Sequence, residues 1–201
     1  MVRTGPRRAD ERAVRIRRIL LAAGCAAALA GSAAAAGAGD PYAGLLAPSG
    51  TCGAAADAVD QNASTARRAM LCLTNYARAH AGLSPLQLNA MLDQAGQAKL
   101  RAQVRCDEFS HTPCGISFMS MLAGYVHGAS SYRLGENIAA GTGSPRQTMN
   151  AWLHSTGHRR NILDPDFREL GVGYLPDQTL FNERGLVLWS QELGVRTLRR
   201  R

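Results

Sequence analysis

The chain has 201 residues, of which 46% are hydrophobic and 19% charged, with a formal net charge of +8. Residues 1–38 hold seven arginines against Asp10 and Glu11 and so account for five of those charges. The other three gather in Arg196, Arg199, Arg200 and Arg201 with no interleaved aromatics, which argues against a nucleic-acid partner and for a solvated basic tail over 196–201.

The first 38 residues read as a secretory signal peptide. A basic stretch is followed by an apolar, alanine-rich run from Ile19 to Ala38 and then by Gly39-Asp40-Pro41, with cleavage expected near Ala36-Gly37-Ala38. An uncleaved anchor is the weaker alternative, because the run barely reaches the roughly 20 apolar residues of a span and is mostly Ala and Gly. Two minor readings are a lipidated Cys25 after Ala22-Ala23-Gly24 and a degenerate twin-arginine signal at Arg17-Arg18. After cleavage no transmembrane segment is expected, and a chain of about 160 residues suffices for one domain with a core.

Removing the leader leaves Cys52, Cys72, Cys106 and Cys114. An even number in an exported chain suggests two disulfides, and the local pairing is favoured: Cys106 with Cys114, and hence Cys52 with Cys72. A zinc knuckle is disfavoured because no CxxC pair exists.

Residues 39–63, rich in Ala, Gly, Pro and Asp, read as a linker or lightly ordered arm. From Ser64, the residues Ala66, Ala69, Met70, Leu73, Tyr76, Ala77 and His80 recur at helical spacing, and Gly82 ends the helix. Leu88, Met91, Leu92, Ala95, Ala98 and Ala102 predict a second helix to about Arg105, with Asp93, Gln94, Gln97 and Arg101 on the opposite side. A third helix is expected over 116–126, then a turn at Gly135, then a helix over 144–154 with Ser144 as N-cap and Pro145 in its first turn. Residues 171–175 and 186–193 read as strands joined by a polar stretch. Helices followed by strands imply an α+β fold, with helices laid on an antiparallel sheet. No internal repeat is visible, and nothing specifies an oligomeric state.

Three polar phrases carry chemistry: FSHTPCG with His111, LGENIA with Glu136, and WLHSTGHRRNIL with His158. Two imidazoles and a carboxylate beside glycines and small residues are what a shared polar or metal site needs.

Taken in order, NYARAHAGLSPLQLNAMLDQAGQAKL, FSHTPCG, LGENIAAG, AWLHSTGHRRNILDPDFRELGVGY and LVLWSQELG resemble a bacterial, secreted member of the CAP superfamily (SCP/TAPS domain) over residues 64–195. The resemblance implies a three-layer α-β-α sandwich with a central antiparallel sheet. It also implies an extracellular location and a cleft lined by two histidines, His111 and His158, and up to two acids, the first being Glu136. Members have been tied to sterol and lipid binding, defence and host interaction without a shared reaction. One departure stands out: where other branches place a second acid shortly after the helix tryptophan, Trp152 is followed by Leu153, His154 and Ser155. His154 is a partial substitute.

Each residue also has a purely structural reading. The histidines could fix loops to the core, Glu136 could stabilise a turn by accepting backbone N–H bonds, and Asn161 and Arg159 could organise their loop. Trp152, Trp189 and Tyr174 read as core aromatics. His80 and His127 have no companion phrase.

His111, His158 and Glu136 could hold zinc or another divalent cation with one open position. No HExxH phrase or second carboxylate is evident to serve as base, and no GxSxG elbow exposes a serine. No catalytic residue is therefore assigned and no cofactor is required. The sequence reads as a secreted, non-catalytic binding module for a lipid, a cell-envelope component or a divalent metal ion. A metal-assisted, peptidase-like hydrolase and a structural envelope protein are the alternatives.

Overall fold

The computed structural model describes residues 39–141 and 143–199. The expected signal peptide, Cys25 and the last two arginines lie outside the described residues.

Helix α1, Ala63–His80, starts where the Asn62 side chain accepts the Thr65 N–H. It buries Ala66, Ala69, Met70, Leu73 and Ala77 of the stripe read from the sequence, while Tyr76 is half-buried and His80, in the last turn, is exposed. Gly82, at a φ of 72°, turns the chain away after it. Strand β1 is only Gln87–Leu88, and α2 spans Ala90–Cys106 with Asn89 as N-cap.

The buried stripe of α2 is rotated from the expected one. Met91 and Ala98 are exposed, whereas Gly96, Lys99 and Gln103 are buried with Leu92, Ala95, Leu100 and Ala102. The cause is close approach to the sheet. A Cβ on Gly171 would stand 2.1 Å from the Leu92 carbonyl carbon, and one on Gly173 would stand 2.7 Å from that of Gly96. Small residues here let helix and strand backbones touch, and polar side chains follow into the contact because they find partners there.

The helix expected over 116–126 is two single turns, α3 Phe118–Met121 and α4 Ala123–Val126. The break at Leu122 allows both Leu122 and Tyr125 to pack against Leu92 and Ala95. The turn expected at Gly135 is instead the middle of strand β2, Ala129–Gly141. Gly135 is needed for proximity, because a Cβ there would come within 2.9 Å of the Phe167 ring. Helix α5, Pro145–His154, carries the expected Ser144 cap as a full capping box with Gln147. Helix α6, Thr156–Ile162, follows directly.

Strands β3, Glu169–Leu180, and β4, Glu183–Leu198, contain both expected strands and extend them. β4 runs three residues into the expected tail, where Arg196 lies 4.4 Å over the Tyr125 ring. The sheet order is β1-β3-β4-β2, antiparallel except for the two-residue β1–β3 pair, so β2 is an edge strand. Beyond β1, side chains of α2 serve the outer edge of β3: Asp93 accepts the Val172 N–H at 2.8 Å and Gln97 the Tyr174 N–H at 3.2 Å.

The result is the α+β, α-β-α sandwich. Alternation along the strands turns Leu170, Val172, Tyr174, Trp189 and Leu193 toward α1 and α5, forming the main core with Met70, Leu73 and Trp152. The opposite face, under α2, carries two smaller apolar clusters, around Leu92 and Tyr125 and around Leu100 and Leu188. Residues 39–62 form two 3-10 turns, Ala43–Leu45 and Ala54–Ala56, and contribute Ala47 and Ala56 to the main core. This segment is fastened by the Cys52–Cys72 disulfide, by Arg146 on Asp57 and by the Tyr174 hydroxyl donating to the Val59 carbonyl at 2.6 Å.

Candidate functional site

Edge strand β2 carries Glu136, the loop after α2 carries His111 and helix α6 carries His158. His111 meets Glu136 directly, whereas His158 is joined to β2 through its backbone carbonyl, which accepts from Asn137.

The loop bearing His111 leaves α2 through Asp107, whose φ is 48°, and is closed by the Cys106–Cys114 disulfide. Inside it the Glu108 carboxylate accepts from the Ser110 hydroxyl at 2.7 Å and from the Cys114 N–H at 2.9 Å, and these bonds hold its carboxyl below the usual carboxylate range. Two side chains of α2 grip the loop backbone: Gln103 donates to the Ser110 carbonyl at 3.0 Å and Lys99 to the His111 carbonyl. The backbone at His111 is therefore fixed, while its side chain is 60% exposed.

His111 Nδ1 lies 2.5 Å from Glu136 Oε1. Opposite a carboxylate this nitrogen carries the proton, so Nε2 is the nitrogen left for a ligand. The Glu136 side chain is 4% exposed, and its other oxygen, Oε2, is 3.1 Å from the Lys99 ammonium. That contact is close enough for an ion pair but is not aligned as a hydrogen bond, so Oε2 has no formal donor. Glu136 thus sits in a strand and serves an imidazole and an ammonium, and does not stabilise a turn as its purely structural reading has it.

His158 is placed by a chain of amides. Asn137 donates to the His158 carbonyl at 3.2 Å and to Gln191 Oε1 at 3.0 Å. Asn161 donates to the Glu136 carbonyl and to Asn137 Oδ1, both at 2.9 Å, and Gln191 donates to the Thr74 hydroxyl at 2.8 Å. This run ties α1, β4, β2 and α6 together, with Asn161 inside helix α6 bonding to strand β2 and not organising a loop. Burial, with a smaller effect from His111, pushes the His158 imidazole below its usual value, so it is neutral at pH 7.

His154 lies elsewhere. Its Nε2 is 3.0 Å from Asp40 and its ring packs edge-on to Tyr42, so it fastens the N-terminal segment and does not stand in for the second acid. Trp152, Trp189 and Tyr174 are buried core aromatics. Ser110 is committed to its loop and all four cysteines of the described domain are in disulfides, so neither supplies a nucleophile.

A three-ligand divalent ion does not fit this arrangement. One oxygen of Glu136 faces the His111 ring and the other an ammonium, so a cation would have to displace Lys99. Among the described residues, no group of three or more His, Cys, Asp or Glu side chains is arranged to hold a metal ion.

Four residues of the site escaped the sequence reading: Lys99, Asn137, Gln191 and Glu192. The available signal for Lys99 was its place four residues after Ala95 and seven after Leu92, on the stripe that becomes buried.

Comparison with known proteins agrees with this architecture. The model of the cysteine-rich secretory protein family, CAP, matches residues 71–193, more than half of the chain. The chain is 36% identical over 113 residues to the uncharacterized protein YkwD of Bacillus subtilis, covering 56% of this chain and 43% of that one. It is 26% identical over 127 residues to the uncharacterized membrane protein YlbC of the same species, covering 63% and 36%. It therefore spans less than half the length of either relative. Among solved structures, an extracellular SCP-domain protein of Bacillus anthracis superposes with a TM-score of 0.53 at 21% identity, covering 70% of this chain and 45% of its own. An outer surface protein of Borrelia burgdorferi superposes with a TM-score of 0.51 at 18% identity, covering 62% and 87%. At these identities the likeness shows the fold.

Proposed function

Because the chain belongs to the cysteine-rich secretory protein (CAP) family, we propose that it is an exported binding module whose cleft, formed by His111, Glu136 and His158, seats a lipid or another cell-envelope component. One observation carries this reading. His111 is 60% exposed, yet its orientation is fixed by a buried carboxylate that already has a cationic partner. Such an imidazole is preorganised to hydrogen-bond a polar headgroup at little entropic cost. Export agrees with the leader-like first 38 residues and with structural relatives described as extracellular or outer surface proteins. Among the described residues no helix is long and apolar enough to cross a membrane.

The test is capture from a detergent-solubilised envelope extract, read by mass spectrometry. Wild-type protein retains specific components, and a His111→Ala, His158→Ala variant loses them. Equal capture by both proteins and by a denatured control sinks the reading.

The 2.5 Å contact between His111 and Glu136 also favours a second reading, a peptidase-like hydrolase in which the oriented Nε2 acts as a general base toward water. Turnover of a peptide library by the wild type but not by His111→Ala would replace the binding reading with this one.

A further inference from the structure

The cleft does have a second buried carboxyl, but it comes from the sheet and not from α5. Glu192 stands directly opposite Glu136 in the β2–β4 register and is 1% exposed. No well-aligned hydrogen bond reaches its oxygens or the Ser190 hydroxyl two residues away on the same face, although its carboxyl lies within hydrogen-bonding reach of Glu136 and Ser190. Burial, reinforced by the negative charge of Glu136 and opposed by Lys99, raises its carboxyl well above the usual range. Two carboxyls and the His111 imidazole are the residue types of a divalent-cation site.

The cation already present is an ammonium. Lys99 is 1% exposed and contacts Glu136 Oε2, the His111 carbonyl and, at 5.5 Å, the face of the Phe118 ring. It is the only lysine in a chain with 23 Lys and Arg together. An ammonium is a compact point charge on a thin stem, and it enters a space between helix and strand where a planar guanidinium fork would need more room. The close approach of α2, set by Gly96, Gly171 and Gly173, delivers it there.

We propose that Lys99 is the resident cation of the cleft and the residue that sets its selectivity: its ammonium fills the charge-balancing place of a metal ion, so the cleft refuses divalent cations and leaves the imidazoles free for an uncharged or anionic ligand. This goes beyond the binding-module reading, because it concerns what the cleft excludes. A divalent ion next to the ammonium meets like-charge repulsion in a poorly solvated site, and Glu136 has no oxygen left that faces neither cation nor imidazole.

The test uses zinc alone. Equilibrium dialysis followed by metal analysis compares wild type, Glu136→Gln, Lys99→Met, and Lys99→Met with Glu136→Gln, with folding verified by near-UV circular dichroism. Wild type is expected to retain no more zinc than Glu136→Gln. Lys99→Met takes up one equivalent, roughly 10- to 100-fold more tightly than wild type, and the double variant loses it. One equivalent bound by wild type and removed by Glu136→Gln overturns the proposal, as does a folded Lys99→Met protein with no gain. Should Lys99→Met not fold, the comparison of wild type with Glu136→Gln decides by itself. Failure of envelope capture would leave these zinc readings unchanged, so the two conclusions fall separately.

Discussion

The two faces of the sheet solve burial in different ways. Toward α1 and α5 the strands present Trp189, Tyr174, Val172, Leu170 and Leu193, and on that side buried Thr74, Gln191 and Asn137 and half-buried Asn161 bond to one another in an unbroken run, while buried Arg78 is satisfied by backbone carbonyls. Toward α2 the apolar contacts divide into two small clusters, and Lys99, Glu136, Glu192 and Ser190 are also buried on that face, with several of their oxygens unpartnered. A satisfied amide network makes a wall, whereas a charged cluster with open valences makes a site.

The largest expected effect tests the wall. Trp152→Ala should cost about 3–5 kcal/mol in denaturant unfolding, because it empties the main core and removes the hydrogen bond from its indole N–H to the Ile138 carbonyl. A cost near 1 kcal/mol would mean that the apolar face is not what holds the molecule together. Next, replacing Cys52 and Cys72 by serine should lower stability by roughly 2–4 kcal/mol, through the freedom returned to the unfolded chain between them. The loss should appear equally at pH 5 and pH 8, since no titrating group of the cleft touches that bridge.

The α2 face should instead respond to pH. Glu192 has a folded value raised above its unfolded one, so its contribution is fully present below about pH 4.5 and is lost as pH rises toward the folded value. The difference in stability between Glu192→Gln and wild type should therefore grow in favour of the variant as pH rises from 5 to 8. Parallel stability–pH curves for the two proteins would remove Glu192 from this account. His158 acts with the opposite sign. Its lowered value makes stability present above pH 6.5 and lost as pH falls, a decline that His158→Gln should reduce in the same titration. Smallest is the exposed pair His154–Asp40. The His154 imidazole is raised first by the Asn150 carbonyl and then by Asp40, so any contribution is present below pH 6.5 and lost above it. Asp40→Asn should shift the unfolding midpoint at pH 5.5 downward by a barely measurable amount and leave it unchanged at pH 8.

Legibility followed the same division. Most of the stripe of α1, the N-cap at Ser144 and the β3 and β4 segments were readable because each depends on local periodicity or on a cap. Strand β2 was not. Its Gly135, Glu136 and Asn137 have low strand propensity, and only pairing with β4 from Ala129 to Gly141 makes the segment extended. The buried face of α2 was misread for a related reason. Helical periodicity finds apolar residues, whereas this face is selected by smallness at Gly96 and by partners that await Lys99 and Gln103.

By itself the sequence determined the fold class and the two disulfide pairings, and it singled out the histidines and carboxylate proposed to line the cleft. Their motifs are short, and the distances they imply run along the chain. The tertiary structure decided how the charge is balanced. Lys99 and Glu192 lie far apart in sequence and are ordinary by residue type. They become one cluster with Glu136 because glycines on α2 and β3 bring two backbones into contact, and a buried ion has meaning only with the partners it meets there.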